Sequence, residues 1–208
     1  MLRPCLSAIP PLALLAPLLL ALQSWPGAAE AWRLLRRRFE QGAWWEPVSA
    51  QFVHLSLEHA LANAAALLML AWLLRSMLGS MTQLSLLAGA IVGVALQLAL
   101  DADCAYYAGF SGALHGWLGG SLAMLCWPRL PGCSVIGCSA AMPWPLGLLA
   151  LLLLKVGLEM TGLLPSAWDF PVYYPSHAAG LAGGLCAAGI IWLSGRLRAA
   201  SQARQQRG

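Results

Sequence analysis

Apolar residues run along this chain in stretches of membrane-crossing length, and the interruptions are short. The runs fall near Leu6–Trp25, Glu58–Leu74, Leu84–Leu100, Ser111–Trp127, Leu146–Leu164 and His177–Leu193, separated by segments carrying Gly, Pro, Asp or Arg. A helical span needs about 20 mostly apolar residues, so the pattern predicts about six transmembrane helices. The expected fold is an all-α polytopic membrane protein. The first run contains Pro10, Pro11 and Pro17 and leads into Gly27-Ala28-Ala29, as a cleaved signal peptide would. Its long apolar core, behind the single Arg3, favours a retained span instead.

Composition supports the pattern. Of 208 residues, 60% are hydrophobic and 10% charged, against about 25% charged in a soluble domain. Too little polar surface remains to coat a water-facing globule, which excludes a soluble enzyme. The chain reads as one membrane domain over 1–208, with a core at about 45–194, a first span at about 6–25 and a basic cytoplasmic tail at 195–208.

The net charge of +4 comes mainly from arginines in loops and at the C-terminus. Arg3, Arg75, Arg129, Arg196, Arg198, Arg204 and Arg207 fall in the N-terminal tail, the even-numbered loops and the C-terminal tail, which the positive-inside rule assigns to the cytoplasm together with both termini. Arg33, Arg36, Arg37 and Arg38, in the long first loop, offend that rule. They are interspersed with Glu30, Glu40, Trp32, Trp44 and Trp45, a composition suited to a segment lying along the membrane surface. No basic stripe with interleaved aromatics points to nucleic acid. Cys5, Cys104, Cys126, Cys133, Cys138 and Cys186 contain no CxxC pair, so neither a disulfide scaffold nor a zinc ribbon is expected.

Polar side chains within spans are costly and therefore functional candidates: His54, His59, Asn63, Gln97, Ser111, His115, Lys155, Glu159 and His177. Spans two, four and six run in one direction, and His59, Ser111 and His177 open them at one depth, near the non-cytoplasmic side. Residues four apart share a helix face, which pairs His59 with Asn63 and Ser111 with His115. Gly112, Gly116 and Gly120 in span four, and Gly180 and Gly184 in span six, form stripes that let helices approach closely in lipid. The span-six stripe shares the His177 face, so close packing of the two helices sets Ser111 beside His177. An imidazole can take the proton of a serine hydroxyl and make it a nucleophile. The backbone N–H groups at the start of span four, with His59 and Asn63, would then serve the developing oxyanion.

His54-xxxx-His59-xxx-Asn63, Gly109-Phe110-Ser111-Gly112 and His177-xx-Gly180-xxx-Gly184 together resemble the rhomboid intramembrane serine proteases, from about Trp45 to Leu193. Ser111 followed by Gly-Ala-Leu-His-Gly, with His115 where most rhomboids have tyrosine, more closely resembles the rhombosortase branch. The resemblance implies a six-transmembrane-helix rhomboid-like bundle in the bacterial plasma membrane. It implies a Ser–His pair without a third acid, Ser111 as nucleophile and His177 as base, with His59 and Asn63 lining the oxyanion site. Gly109, Gly112 and His115 would support them, and no cofactor or metal is called for. The implied substrates are surface proteins with a C-terminal tail made of a Gly-Gly motif, a transmembrane segment and a basic end. The chain departs from the family where Trp45 precedes Glu46 instead of arginine and where Ser176 replaces the usual alanine. Val172-Tyr173-Tyr174-Pro175 also lacks an expected glycine.

Plainer roles stand beside these. An isolated serine in a transmembrane helix usually bonds its own backbone, and His177, His59 and Asn63 could brace helices. For His115, packing against His177 is favoured over direct chemistry. His54 reads as a loop anchor, Gln97 as a packing residue, and Lys155 with Glu159 as a structural ion pair within one helix. Two other classes compete: a metal site of His54, His59, His115 and His177, and a non-catalytic rhomboid-like protein that binds membrane clients. The first lacks HExxH and leaves Ser111 unexplained. The second typically lacks the serine or the histidine.

Overall fold

The computed structural model describes residues 9–127, 143–164, 166 and 168–206. Arg3, Cys5, Arg129, Cys133, Cys138 and Arg207 lie outside them. Helix α1 (Leu15–Ser24) follows a 3-10 turn at Pro11–Leu14. The first loop folds into α2 (Ala28–Trp32), strand β1 (Leu34–Leu35), α3 (Arg36–Glu40) and α4 (Glu46–Ser49). Then come α5 (Leu57–Leu74), α6 (Ser80–Leu100), strand β2 (Tyr106–Tyr107), α7 (Ser111–Cys126), α8 (Pro143–Met160) and α9 (Pro175–Gln205).

Among the described residues, α5, α6, α8 and α9 are long and apolar enough to cross a membrane. The fourth predicted run forms α7, 16 residues long and buried along most of its length. Its neighbours are α6 and α9, with α8 on a further side, so it is sheathed by protein and has less need to match the bilayer thickness. Of the first run, Leu6–Ala8 lie outside the described residues; among those described, Pro11–Ser24 is helical. The basic tail at 195–208 is helical as far as Gln205. Helix α9 continues that far because its Arg, Ala and Gln residues favour helix and no proline intervenes.

Glycine packing sets the centre. A Cβ placed on Gly116 would lie 2.0 Å from the Gly180 carbonyl oxygen, and one on Gly180 would lie 2.0 Å from that of Gly112. Helices α7 and α9 therefore touch backbone to backbone, as the stripes predicted. Helix α6 uses the same device on another face of α9, where a Cβ on Gly183 would meet the Gly89 oxygen at 2.3 Å. Around this trio, Leu19, Leu67, Leu74, Leu86, Phe110 and Trp117 fill the main apolar core.

Two of the loop-one arginines, Arg36 and Arg38, are used inside the protein, which accounts for their breach of the charge rule. Arg36 donates to the Leu98 carbonyl and, at 2.7 Å, to that of Asp101. It thereby satisfies carbonyls at the C-terminal end of α6, where cations are favoured. Arg38 pairs at 2.6 Å with Glu46, whose side chain is only 2% exposed. Glu46 also accepts the Leu35 N–H at 2.9 Å. Antiparallel pairing of β1 with β2, Leu34 to Tyr107 and Leu35 to Tyr106, ties this loop to the segment entering α7. The residue that departs from the family pattern is thus a buried anchor of the loop.

Candidate functional site

Ser111 opens α7 and His177 lies in the first turn of α9, so the backbone contact between these helices brings the two side chains together. Ser111 Oγ is 2.9 Å from His177 Nε2. The His115 ring stacks on that of His177, 4.1 Å between centroids and 14° between planes. The packing role expected of His115 is present, and its Nδ1 also reaches the Ser111 carbonyl oxygen at 2.7 Å.

The other nitrogen of His177 is occupied as well. Nδ1 lies 2.9 Å from Glu159 Oε2. Lys155 Nζ donates to Glu159 Oε1 at 2.5 Å and contacts His115 Nε2 at 2.9 Å. The intrahelical pair expected from the sequence therefore exists, but it is also attached to the site. The spacing of Lys155 and Glu159 explained each by the other, so nothing along the chain pointed to α7 or α9.

On the opposite side stands α5. Asn63 donates from its amide nitrogen to the His59 carbonyl at 2.9 Å, which leaves a second amide proton free to serve a ligand. The His59 ring packs at about 5 Å against Trp168 and Phe170. Gly109 has φ +144°, and a Cβ there would strike His59 Cε1 at 2.8 Å, so both backbone and space require glycine. Its N–H donates to the Ala50 carbonyl and its own carbonyl accepts from Tyr107 Oη, fixing the entry to α7. Gly112 similarly faces the Ser176 carbonyl, 2.7 Å from a built Cβ.

A cavity of about 570 Å³ lies between α5 and α8, with Ser111 and His177 on its wall. Its lining is mainly apolar, from residues such as Ala62, Ala66, Leu114, Leu118 and Leu152. His59, Asn63, His115, Lys155 and Glu159 also border it.

Fully buried His54 meets the His59 ring edge-on at 5.0 Å and buttresses it. Gln97 bonds Tyr173 Oη at 3.1 Å and Asp101 at 3.3 Å, linking the end of α6 to the approach to α9. The four-histidine metal site does not assemble as one cluster. Among the described residues, the donors that converge are His115, Glu159 and His177, within 4.8 Å of one another, and the Lys155 ammonium already bonds two of them.

Burial, reinforced by the His59 ring, pushes the His54 imidazole down from 6.5 to about 3. The unfolded chain therefore binds a proton below about pH 6.5 that the folded protein refuses, and stability falls as pH drops from there towards about 3. Melting temperatures in detergent should show this slope, and His54→Leu should flatten it. Identical slopes for both proteins would remove His54 from the acid response.

The site thus sets a serine hydroxyl bonded to an imidazole at the wall of an apolar cavity, inside a bundle of helices long and apolar enough to cross a membrane. Residues 41–194 match the family model of the rhomboid domain, and the chain belongs to the rhomboid family, whose members are intramembrane serine proteases. No curated protein matches the chain.

Proposed function

We propose that this protein is an active intramembrane serine endopeptidase with Ser111 as nucleophile and His177 as base. The observation that carries the reading is the 2.9 Å contact between Ser111 Oγ and His177 Nε2 on the wall of a cavity large enough for an unwound peptide segment. A substrate helix enters laterally between α5 and α8 and unwinds near its small residues. His177 Nε2 takes the hydroxyl proton as Ser111 Oγ attacks the scissile carbonyl. The N–H groups at the start of α7 receive the oxyanion, with Asn63 and His59 across the cavity. The protonated imidazole returns its proton to the leaving amine, and water activated by the same ring hydrolyses the acyl-enzyme.

The proposal extends to a single domain of six spans in a bacterial plasma membrane, with α1 and α7 as the two short crossings and both termini cytoplasmic. The run Ser111-Gly112-Ala113-Leu114-His115-Gly116 supports a place in the rhombosortase branch, with His115 built into the site. On that reading the substrates are surface proteins carrying a C-terminal Gly-Gly motif, a transmembrane segment and a basic end.

The test is labelling of membranes with a fluorophosphonate probe. Wild type should label, and Ser111→Ala should lose the label completely while keeping its melting temperature. Label that persists in Ser111→Ala would overturn the nucleophile assignment.

A further inference from the structure

Family resemblance implies a Ser–His pair that works without a third acid, yet here a carboxylate occupies the base's second nitrogen. We propose that Glu159 is the positioning residue of a three-member Ser111–His177–Glu159 array, held in place by Lys155; this rests on the serine protease reading above. Four observations converge on it. The Glu159 side chain is 8% exposed, so its alignment with the ring is shielded from bulk water. Its Oε2 meets His177 Nδ1 at 2.9 Å while Ser111 Oγ meets Nε2 at 2.9 Å, so the carboxylate and the nucleophile address opposite nitrogens of one ring.

The tautomer follows from this geometry. A carboxylate only accepts hydrogen bonds, so Nδ1 must carry a proton, and Nε2 is left with the lone pair that a base needs. Third, Lys155 Nζ holds the other carboxylate oxygen at 2.5 Å, which restrains Glu159 from turning away and offsets its charge in an apolar setting. Fourth, His115 binds Lys155 with one nitrogen and the Ser111 carbonyl with the other. The contacts close into a ring that leaves Ser111 through its hydroxyl and returns to it through its carbonyl.

During attack the hydroxyl proton moves to His177 Nε2, and the Nδ1 proton stays on the ring, donated to Glu159. The carboxylate never takes a proton; it orients the ring and stabilises the imidazolium that forms, as the acid of a serine-protease triad does. Lys155 acts one step further out, by fixing Glu159.

The experiment measures the saturation kinetics of fluorophosphonate labelling in detergent, with melting temperatures recorded in parallel. Glu159→Gln should lower the maximal labelling rate by at least about 10²-fold and up to about 10⁴-fold, the loss seen when a triad acid is replaced by its amide. The half-saturating probe concentration should stay unchanged. Glu159→Asp should recover at least about tenfold of that loss, since a carboxylate is restored. Lys155→Met should slow labelling only about tenfold, because Glu159 still reaches His177.

The double variant Lys155→Met/Glu159→Gln separates positioning from charge balance. A pair that merely neutralises itself would regain wild-type rate once both charges are gone, and that result would overturn the proposal. A folded double variant that labels at least about a hundredfold more slowly than wild type supports it, and it decides the matter if Glu159→Gln alone fails to fold. A folded Glu159→Gln that labels within about threefold of wild type would overturn the third member while leaving Ser111 and His177 in place. A wild type that takes no label would overturn the serine protease reading and this one with it.

Discussion

Gly184→Ala is expected to lower the melting temperature in detergent by on the order of 10 °C and to abolish fluorophosphonate labelling. The added Cβ would lie 1.9 Å from the Gly116 carbonyl oxygen, 2.5 Å from its carbon and 2.9 Å from its Cα. All three are backbone atoms of a packed helix, so no rotamer change relieves the clash and α7 must separate from α9. Ser111 and His177 ride on those two helices at 2.9 Å, and a separation of about 1 Å stretches their contact beyond hydrogen-bonding range. The matched control is Gly157→Ala in α8, where no described heavy atom lies within 4 Å of a built Cβ. That change should leave the melting temperature unchanged or raised, since alanine favours helix over glycine by about 1 kcal/mol. Equal melting of Gly184→Ala and wild type would refute the backbone contact.

The second large effect is expected in loop one. Arg38→Ala leaves the Glu46 carboxylate, 2% exposed, with the Leu35 N–H as its remaining hydrogen-bond partner among the described residues. Breaking a buried pair on one side costs about 3 kcal/mol or more, because an uncompensated charge stays behind. Arg38→Ala/Glu46→Gln should recover part of the lost stability, since the amide oxygen still accepts from Leu35 and the buried charge is gone. Thermal melts of both variants measure this, and an Arg38→Ala protein that melts like wild type would show that solvent reaches Glu46 after all.

How much of this was legible in the sequence depended on the range of the interaction. Ser111, His177, His59 and Asn63 stood out because polar side chains are rare in apolar runs and because helical spacing placed each on a glycine-bearing or shared face. The pairing of α7 with α9 followed from the same spacing. Glu159 stood among the polar candidates but was not joined to Ser111 and His177, since its neighbour one turn away already explained it. Its approach to His177 depends on how α8 turns against α9, which no local pattern encodes. Arg36 and Arg38 misled for a related reason. Charge rules treat loop arginines as free in solution, whereas Arg36 caps the end of α6 and Arg38 holds Glu46.

The glycine contacts also divide the molecule into parts that tolerate change differently. The spacing between Ser111 and His177 is set by main-chain atoms of α7 and α9 that meet directly. The cavity's facing walls on α5 and α8 are lined with side chains such as Ala62, Ala66 and Leu152, which can be exchanged for larger or smaller ones without disturbing that spacing. Substrate preference can therefore drift at the apolar positions of the walls while His59, Asn63, Lys155 and Glu159 stay fixed, so related proteins of this build should differ most in the apolar residues that face the cavity from α5 and α8.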